Sequence, residues 1–186
     1  QNNYKPNWGS SIFKVKTKQE LKNAIIDYID LEEWFLIRRK GGIKFSWQTY
    51  MVNDSQSDED KEKYRQLKNK FFNGLDIGDW DVNEITDMSF LFYKLIKTDG
   101  LYKPYAVIQP NYIYDFTSFF NYDISNWDVS NVTNMSSMFY GAISFDQDIG
   151  KWNVSSVTNM EGMFNGASEF NKDISNWNVS KVTDMY

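Results

Sequence analysis

Residues 123–139 read DISNWDVSNVTNMSSMF, residues 148–164 read DIGKWNVSSVTNMEGMF, and residues 173–185 read DISNWNVSKVTDM. Trp127, Trp152 and Trp177 stand 25 residues apart, as do Ile124, Ile149 and Ile174, then Val129, Val154 and Val179, and Met135, Met160 and Met185. An earlier copy, residues 76–92, reads DIGDWDVNEITDMSFLF. Its Trp80 lies 47 residues before Trp127, so this copy holds 22 extra residues, all between Phe92 and Phe120. Self-similarity at such a period is the mark of an array in which each unit buries its apolar face on its neighbours. The copies beginning at Asp76, Asp123, Asp148 and Asp173 are called copies 1 to 4.

Within a copy, Ile124, Trp127 and Val129 fit a short strand whose alternate side chains point inward. Val132, Met135, Met138, Phe139 and Ala142 recur at three and four residues, which fits a short helix. Thr133 would cap that helix and Gly141 would end it in a left-handed conformation. The expectation is an α+β repeat fold. It is a right-handed solenoid with one short strand and one short helix per 25-residue copy, Trp80, Trp127, Trp152 and Trp177 buried in one column, and Thr86, Thr133, Thr158 and Thr183 as stacked helix caps.

Residues 1–11 read as a flexible lead-in and 12–72 as a mainly helical amino-terminal cap. Residues 73–186 read as the repeat array, with an insertion at about 93–116. Thr17-Lys18-Gln19-Glu20 is a capping box, and Leu21, Ala24, Ile25, Tyr28 and Ile29 form one apolar stripe, predicting a helix from 18 to about 31. A second helix is predicted over Asp58–Phe72, with Ser57 before it and Lys68 and Lys70 near its end. Phe45–Val52 reads as a short strand. The region is either a cap over the end of the array or a separate binding module.

The chain has no His and no Cys, and no nucleophile elbow, phosphate loop or dinucleotide fingerprint, so an enzyme is not expected. No cofactor is expected either. A net charge of −5 disfavours nucleic acid and anionic membrane surfaces as partners. Arg38-Arg39-Lys40 is the densest basic run and reads as a solvated face. No stretch is apolar enough for a membrane span. Asp76, Asp123, Asp148 and Asp173 occupy equivalent places, so each carboxylate either accepts backbone N–H bonds in a turn or shares a cation, calcium being the oxygen-seeking candidate.

The string W-D-V-S-N-V-T-N-M-S-S-M-F, with F-D-Q-D-I and F-N-K-D-I between copies, resembles the BspA-like leucine-rich-repeat surface proteins over about half the chain. That resemblance implies a leucine-rich-repeat-like solenoid on the cell surface or secreted, lipoprotein-like in bacteria, and used in adhesion or partner binding. It carries over no catalytic residue. The expected partner is a protein or glycan on a host or neighbouring cell. The alternative is a structural or antigenic coat module without a fixed ligand.

The expected contact residues are the outward columns Asn126, Lys151, Asn176 and Asp81, Asp128, Asn153, Asn178, which look replaceable without loss of stability, together with Tyr102, Tyr105 and Tyr112 of the insertion. The break inside copy 4 reads as a fragment of a longer array, or else as an open end suited to end-to-end self-association.

Overall fold

The computed structural model describes residues 13–38, 58–97 and 114–186. Helix α1 is Lys18–Arg38 and helix α2 is Asp58–Phe72. Two-residue strands β1, Ile96–Lys97, and β2, Tyr114–Asp115, pair antiparallel at the two ends of the insertion. Short 3-10 turns cover Ile77–Asp79 and Thr117–Phe119.

The strand-plus-helix, leucine-rich-repeat-like solenoid is not what forms. Among the described residues no strand or helix repeats from copy to copy: α1 and α2 precede the copies, and β1 and β2 belong to the insertion. Each copy is built of turns. The motif taken for a strand closes on itself, with Trp127 N–H donating to Ile124 C=O at 3.1 Å and Val132 N–H donating to Val129 C=O at 2.9 Å. The same two turns recur at Trp152, Val157, Trp177 and Val182.

The motif taken for a helix fails for a different reason. Its N–H groups alternate in direction. Met135, Ser137 and Phe139 donate to Asn159, Glu161 and Met163 of the next copy at 2.8–2.9 Å, while Met138 and Tyr140 donate three residues back within their own copy. A left-handed residue sits in the middle of the segment at the same place in three copies: Phe90 (φ 53°), Ser137 (φ 52°) and Gly162 (φ 58°). Such a residue cannot continue a right-handed helix. Gly141 and Gly166 are left-handed too, at 72° and 78°, although there is no helix for them to end.

The Thr column therefore caps nothing. Thr133 donates to Thr86 C=O through both its N–H (2.8 Å) and its hydroxyl (3.1 Å). Thr158 does the same to Thr133, and Thr183 to Thr158. Single-residue parallel bridges run alongside, joining Asp87, Asn134, Asn159 and Asp184 in order. A third ladder is made by the indoles: Trp127 Nε1 donates to Ile77 C=O (2.7 Å), Trp152 Nε1 to Ile124 C=O (3.2 Å) and Trp177 Nε1 to Ile149 C=O (3.1 Å).

Stacked rings fill the space between the ladders. Phe92 lies on Phe120 with centroids 4.1 Å apart, Phe139 on Phe145 at 4.0 Å, and Phe164 on Phe170 at 4.3 Å. Phe92, Phe139 and Phe164 also stack from copy to copy at 5.0 and 5.5 Å. These spacings suit offset aromatic pairs. Trp80, Trp127 and Trp152 are buried at 3–4% exposure, and Trp177 is half-buried.

The α1 capping box forms as the sequence indicates: Glu20 N–H donates to Thr17 Oγ1 at 3.2 Å and Thr17 N–H donates to Glu20 Oε2 at 3.3 Å. The helix continues seven residues beyond the predicted end, because no breaker intervenes before Gly41. Leu21, Ile25, Tyr28, Ile29 and Leu31 of α1 and Phe72 of α2 join the core of copy 1, with Phe72 stacked on Trp80 at 5.5 Å. Ahead of α1, Asp81 N–H donates to Phe13 C=O (2.9 Å) and Val15 N–H donates to Asp81 C=O (3.3 Å). Three lysines spaced by four residues fasten this region to the rim of copy 1. Lys14 meets Glu84 at 2.9 Å and Asp81 at 3.5 Å, Lys18 meets Asp87 at 2.7 Å, and Lys22 donates to the carbonyls of Phe90 and Tyr93.

Candidate functional site

The outward side of the Trp turns is a surface on which side-chain identity changes from copy to copy. Inward positions must fill the stack and turn positions must accept N–H groups, so chemistry can vary only at what remains. Asp79, Asn126, Lys151 and Asn176 are such a column, and all four are exposed. Asp79 lies in the 3-10 turn of copy 1, and Asn126 at the matching place in copy 2.

Between these two copies the surface dips into a shallow groove of about 330 Å³, lined by Gly78, Asp79, Trp80, Asp81, Asn83, Asn126 and Asp128 among others. The insertion separates the two walls by 47 residues of sequence, yet stacking makes them neighbours. The groove is acidic. Asp81 already meets Lys14, whereas no lysine or arginine pairs with Asp79 or Asp128 among the described residues.

The column Asp81, Asp128, Asn153 and Asn178 does more than face outward. Each side-chain Oδ1 accepts the N–H two residues on: Asn83 (3.2 Å), Ser130 (3.0 Å), Ser155 (3.2 Å) and Ser180 (3.1 Å). These are Asx turns, in which the side chain replaces a backbone acceptor. The Ser130 side-chain and backbone hydrogen bonds hold the Asp128 carboxyl below the usual range. These residues are therefore not free of structural duty, as the sequence suggested; only the second polar atom of Asp128, Asn153 and Asn178 is available to a partner, because Asp81 Oδ2 already meets Lys14.

The acidic column resolves in the same terms. Asp123, Asp148 and Asp173 accept the N–H of Ser125 (2.9 Å), Gly150 (3.2 Å) and Ser175 (2.9 Å). The backbone bond from Ser125 lowers the Asp123 pKa, and that from Ser175 lowers the Asp173 pKa. Asp76 differs: it accepts the Tyr28 hydroxyl at 2.9 Å and pairs with Lys68, and the Lys68 contact lowers its pKa. Among the described residues no three acidic groups converge on a point where a metal ion could sit.

Tyr102, Tyr105 and Tyr112, and with them Arg39, Lys40, Ser57, the lead-in and the Phe45–Val52 strand, lie outside the described residues. Among the described residues no helix is long and apolar enough to cross a membrane. The sequence reading missed an exposed aromatic edge. Tyr93 and Tyr140 meet edge-on at 5.3 Å, Phe90 lies 5.9 Å from Tyr93, and Phe90 and Tyr140 are 48% and 40% exposed. Its signal was present: Tyr93 and Tyr140 each follow the last core Phe of their motif.

No curated protein and no solved structure matches this chain. Residues 61–107 and 99–186, more than half of the sequence, match one protein family. The chain thus belongs to the family described as "Mycoplasma protein of unknown function, DUF285".

Proposed function

We propose that the chain is a non-enzymatic repeat module, displayed on the cell surface or secreted, that offers a polar face to a protein or glycan of a host or neighbouring cell. The observation that carries this reading is the groove between copies 1 and 2. There, variable outward residues (Asp79, Asn126) line a depression formed by an invariant framework of Trp, Val and Asx turns. Its resemblance to the BspA-like surface proteins supports the same reading. A chain without His or Cys lacks the commonest general base and any thiol nucleophile, which favours binding over catalysis.

The test is a glycan array and a pull-down on host-cell extracts, followed by titration of any ligand found. The double variant Asp79→Ala with Asn126→Ala breaks no turn, so it should weaken binding while the melting temperature stays put. A saturable ligand held equally well by that variant would move the site off this groove. No saturable ligand for the whole chain would remove the binding reading itself.

A further inference from the structure

The sequence contains two Asn-Gly pairs, Asn73–Gly74 and Asn165–Gly166, and the structure holds them very differently. We propose that Asn165 is a site of spontaneous, water-driven modification: its side-chain amide is lost through a succinimide, leaving aspartate or isoaspartate in copy 3. The nitrogen of Gly166 attacks Cγ of Asn165. A C–N bond forms to close a five-membered ring, the bond from Cγ to the side-chain nitrogen breaks, and ammonia departs with the proton that Gly166 N–H gives up. Water then opens the ring at one of its two carbonyls. No enzyme, oxidant or cofactor is needed, and because the attacking nitrogen must lose its proton, the reaction quickens as pH rises.

Geometry separates the two pairs. The Gly74 N–H is engaged with Lys68 C=O at 3.2 Å, a Cβ at Gly74 would lie 2.6 Å from Asn69 Oδ1, and Asn73 is half-buried. Attack there would first have to break a hydrogen bond in a crowded turn. Asn165 and Gly166 are both exposed. Among the described residues the Gly166 N–H donates to no acceptor and the Asn165 side-chain amide has no partner, while the Asn165 backbone N–H donates to Gly162 C=O at 3.0 Å.

The two halves of the Asn165 pair are constrained differently. Gly166 has φ +78°, a left-handed backbone that glycine adopts without strain and that Gly141 shares at 72°, although copy 1 holds Lys94 there at 50°. The residue before it is free to change: preceding copies place Tyr140 and Tyr93 at that position. Copies 2 and 3 thus both place glycine there, and copy 3 alone of the three sets an asparagine beside it.

The site also sits on a ladder rung. Gly141 N–H donates to Asn165 C=O at 2.8 Å. In isoaspartate that carbonyl leaves the main chain as a free, charged carboxylate and the chain runs one methylene longer through Cβ and Cγ, so the rung between copies 2 and 3 should loosen.

The experiment ages the full chain at mildly alkaline pH, folded and in urea, and follows each Asn-Gly pair by peptide mass mapping with an isoaspartate assay. In the folded chain Asn165 should convert severalfold faster than Asn73, and in urea the two rates should converge. Asn165→Tyr, which borrows the residue of the preceding copy, should abolish conversion in the 152–172 peptide and melt like the parent. Hydrogen exchange at Gly141 should quicken in the converted fraction. Equal conversion of both pairs in the folded chain would overturn the proposal, as would an Asn165 that stays intact when folded but converts in urea.

Discussion

The indole N–H of Trp152 reaches out of its own copy and donates to the carbonyl of Ile124 at 3.2 Å. One side chain thus does two jobs: its ring fills the stack, lying 6.3 Å from Phe139, and its nitrogen ties its copy to the preceding one as the second donor to a carbonyl that already accepts Trp127 N–H.

Two substitutions separate those jobs. Trp152→Phe keeps a ring but removes one of the two donors to Ile124 C=O, which still accepts Trp127 N–H, and should cost about 0.5–1.5 kcal/mol. Trp152→Ala removes the ring as well and should cost roughly 3–5 kcal/mol. Thermal and urea melts of both variants check this, and a Trp152→Phe variant that melts like the parent would mean that the ladder bond contributes nothing.

Ser137 holds φ 52° at a position where the next copy has Gly162 at 58°. A left-handed non-glycine residue costs roughly 1–2 kcal/mol, part of which glycine's extra freedom in the unfolded chain offsets. Ser137→Gly should therefore stabilise by about 0.5 kcal/mol, and Gly162→Ala should destabilise by about 1 kcal/mol. A loss of stability in Ser137→Gly would place the serine hydroxyl, not backbone strain, in charge of that turn.

The triple variant Asp128→Ala, Asn153→Ala, Asn178→Ala removes three Asx turns. At roughly 0.5 kcal/mol for each exposed bond it should cost about 1–2 kcal/mol in all. This reverses the expectation from sequence that the column could be emptied without loss, and chemical denaturation measures it directly.

Acid should loosen the junction between α2 and copy 1. Lys68 and the Tyr28 hydroxyl lower the Asp76 pKa below its ordinary 3.8, so Asp76 contributes stability in full above that value and loses it as pH falls through the depressed folded pKa. Burial drives the Tyr28 pKa far upward, so its hydroxyl keeps donating across the whole range. The contribution is modest because the Asp76 side chain is 68% exposed. Melting temperature against pH should fall less steeply between pH 5 and 2 for Asp76→Asn than for the parent. Parallel curves would mean that the contact is worth nothing in solution.

The repeat frame was legible because burying rings demands the same residue at the same place in every copy: Trp127, Phe139 and Phe145 are inside, as the 25-residue recurrence requires. Helix α2 was legible from the lysines near its end and the serine before it, and its bounds agree with Asp58–Phe72. The backbone inside each copy was not. Tight turns repeat apolar residues at the same two- to four-residue intervals as strands and helices, and the residue that breaks the helix in copy 2 is Ser137, which nothing in its type marks as left-handed. The outward columns were legible as positions, but the groove joins Asp79 to Asn126 across an insertion, and only stacking reveals that they share a wall.

The Thr ladder has a mechanical consequence. Thr86, Thr133 and Thr158 each offer one carbonyl to two donors of the following copy, so every copy is latched only to its immediate neighbours. A tethered chain pulled from its free end should then yield as a zip fastener does, copy by copy from the loaded side. Each event in a 25-residue copy would release roughly 80–90 Å of slack at about 3.3–3.6 Å per residue, and copy 1, with its insertion, would release more. An anchor built this way would lengthen in steps under drag and keep its remaining copies intact.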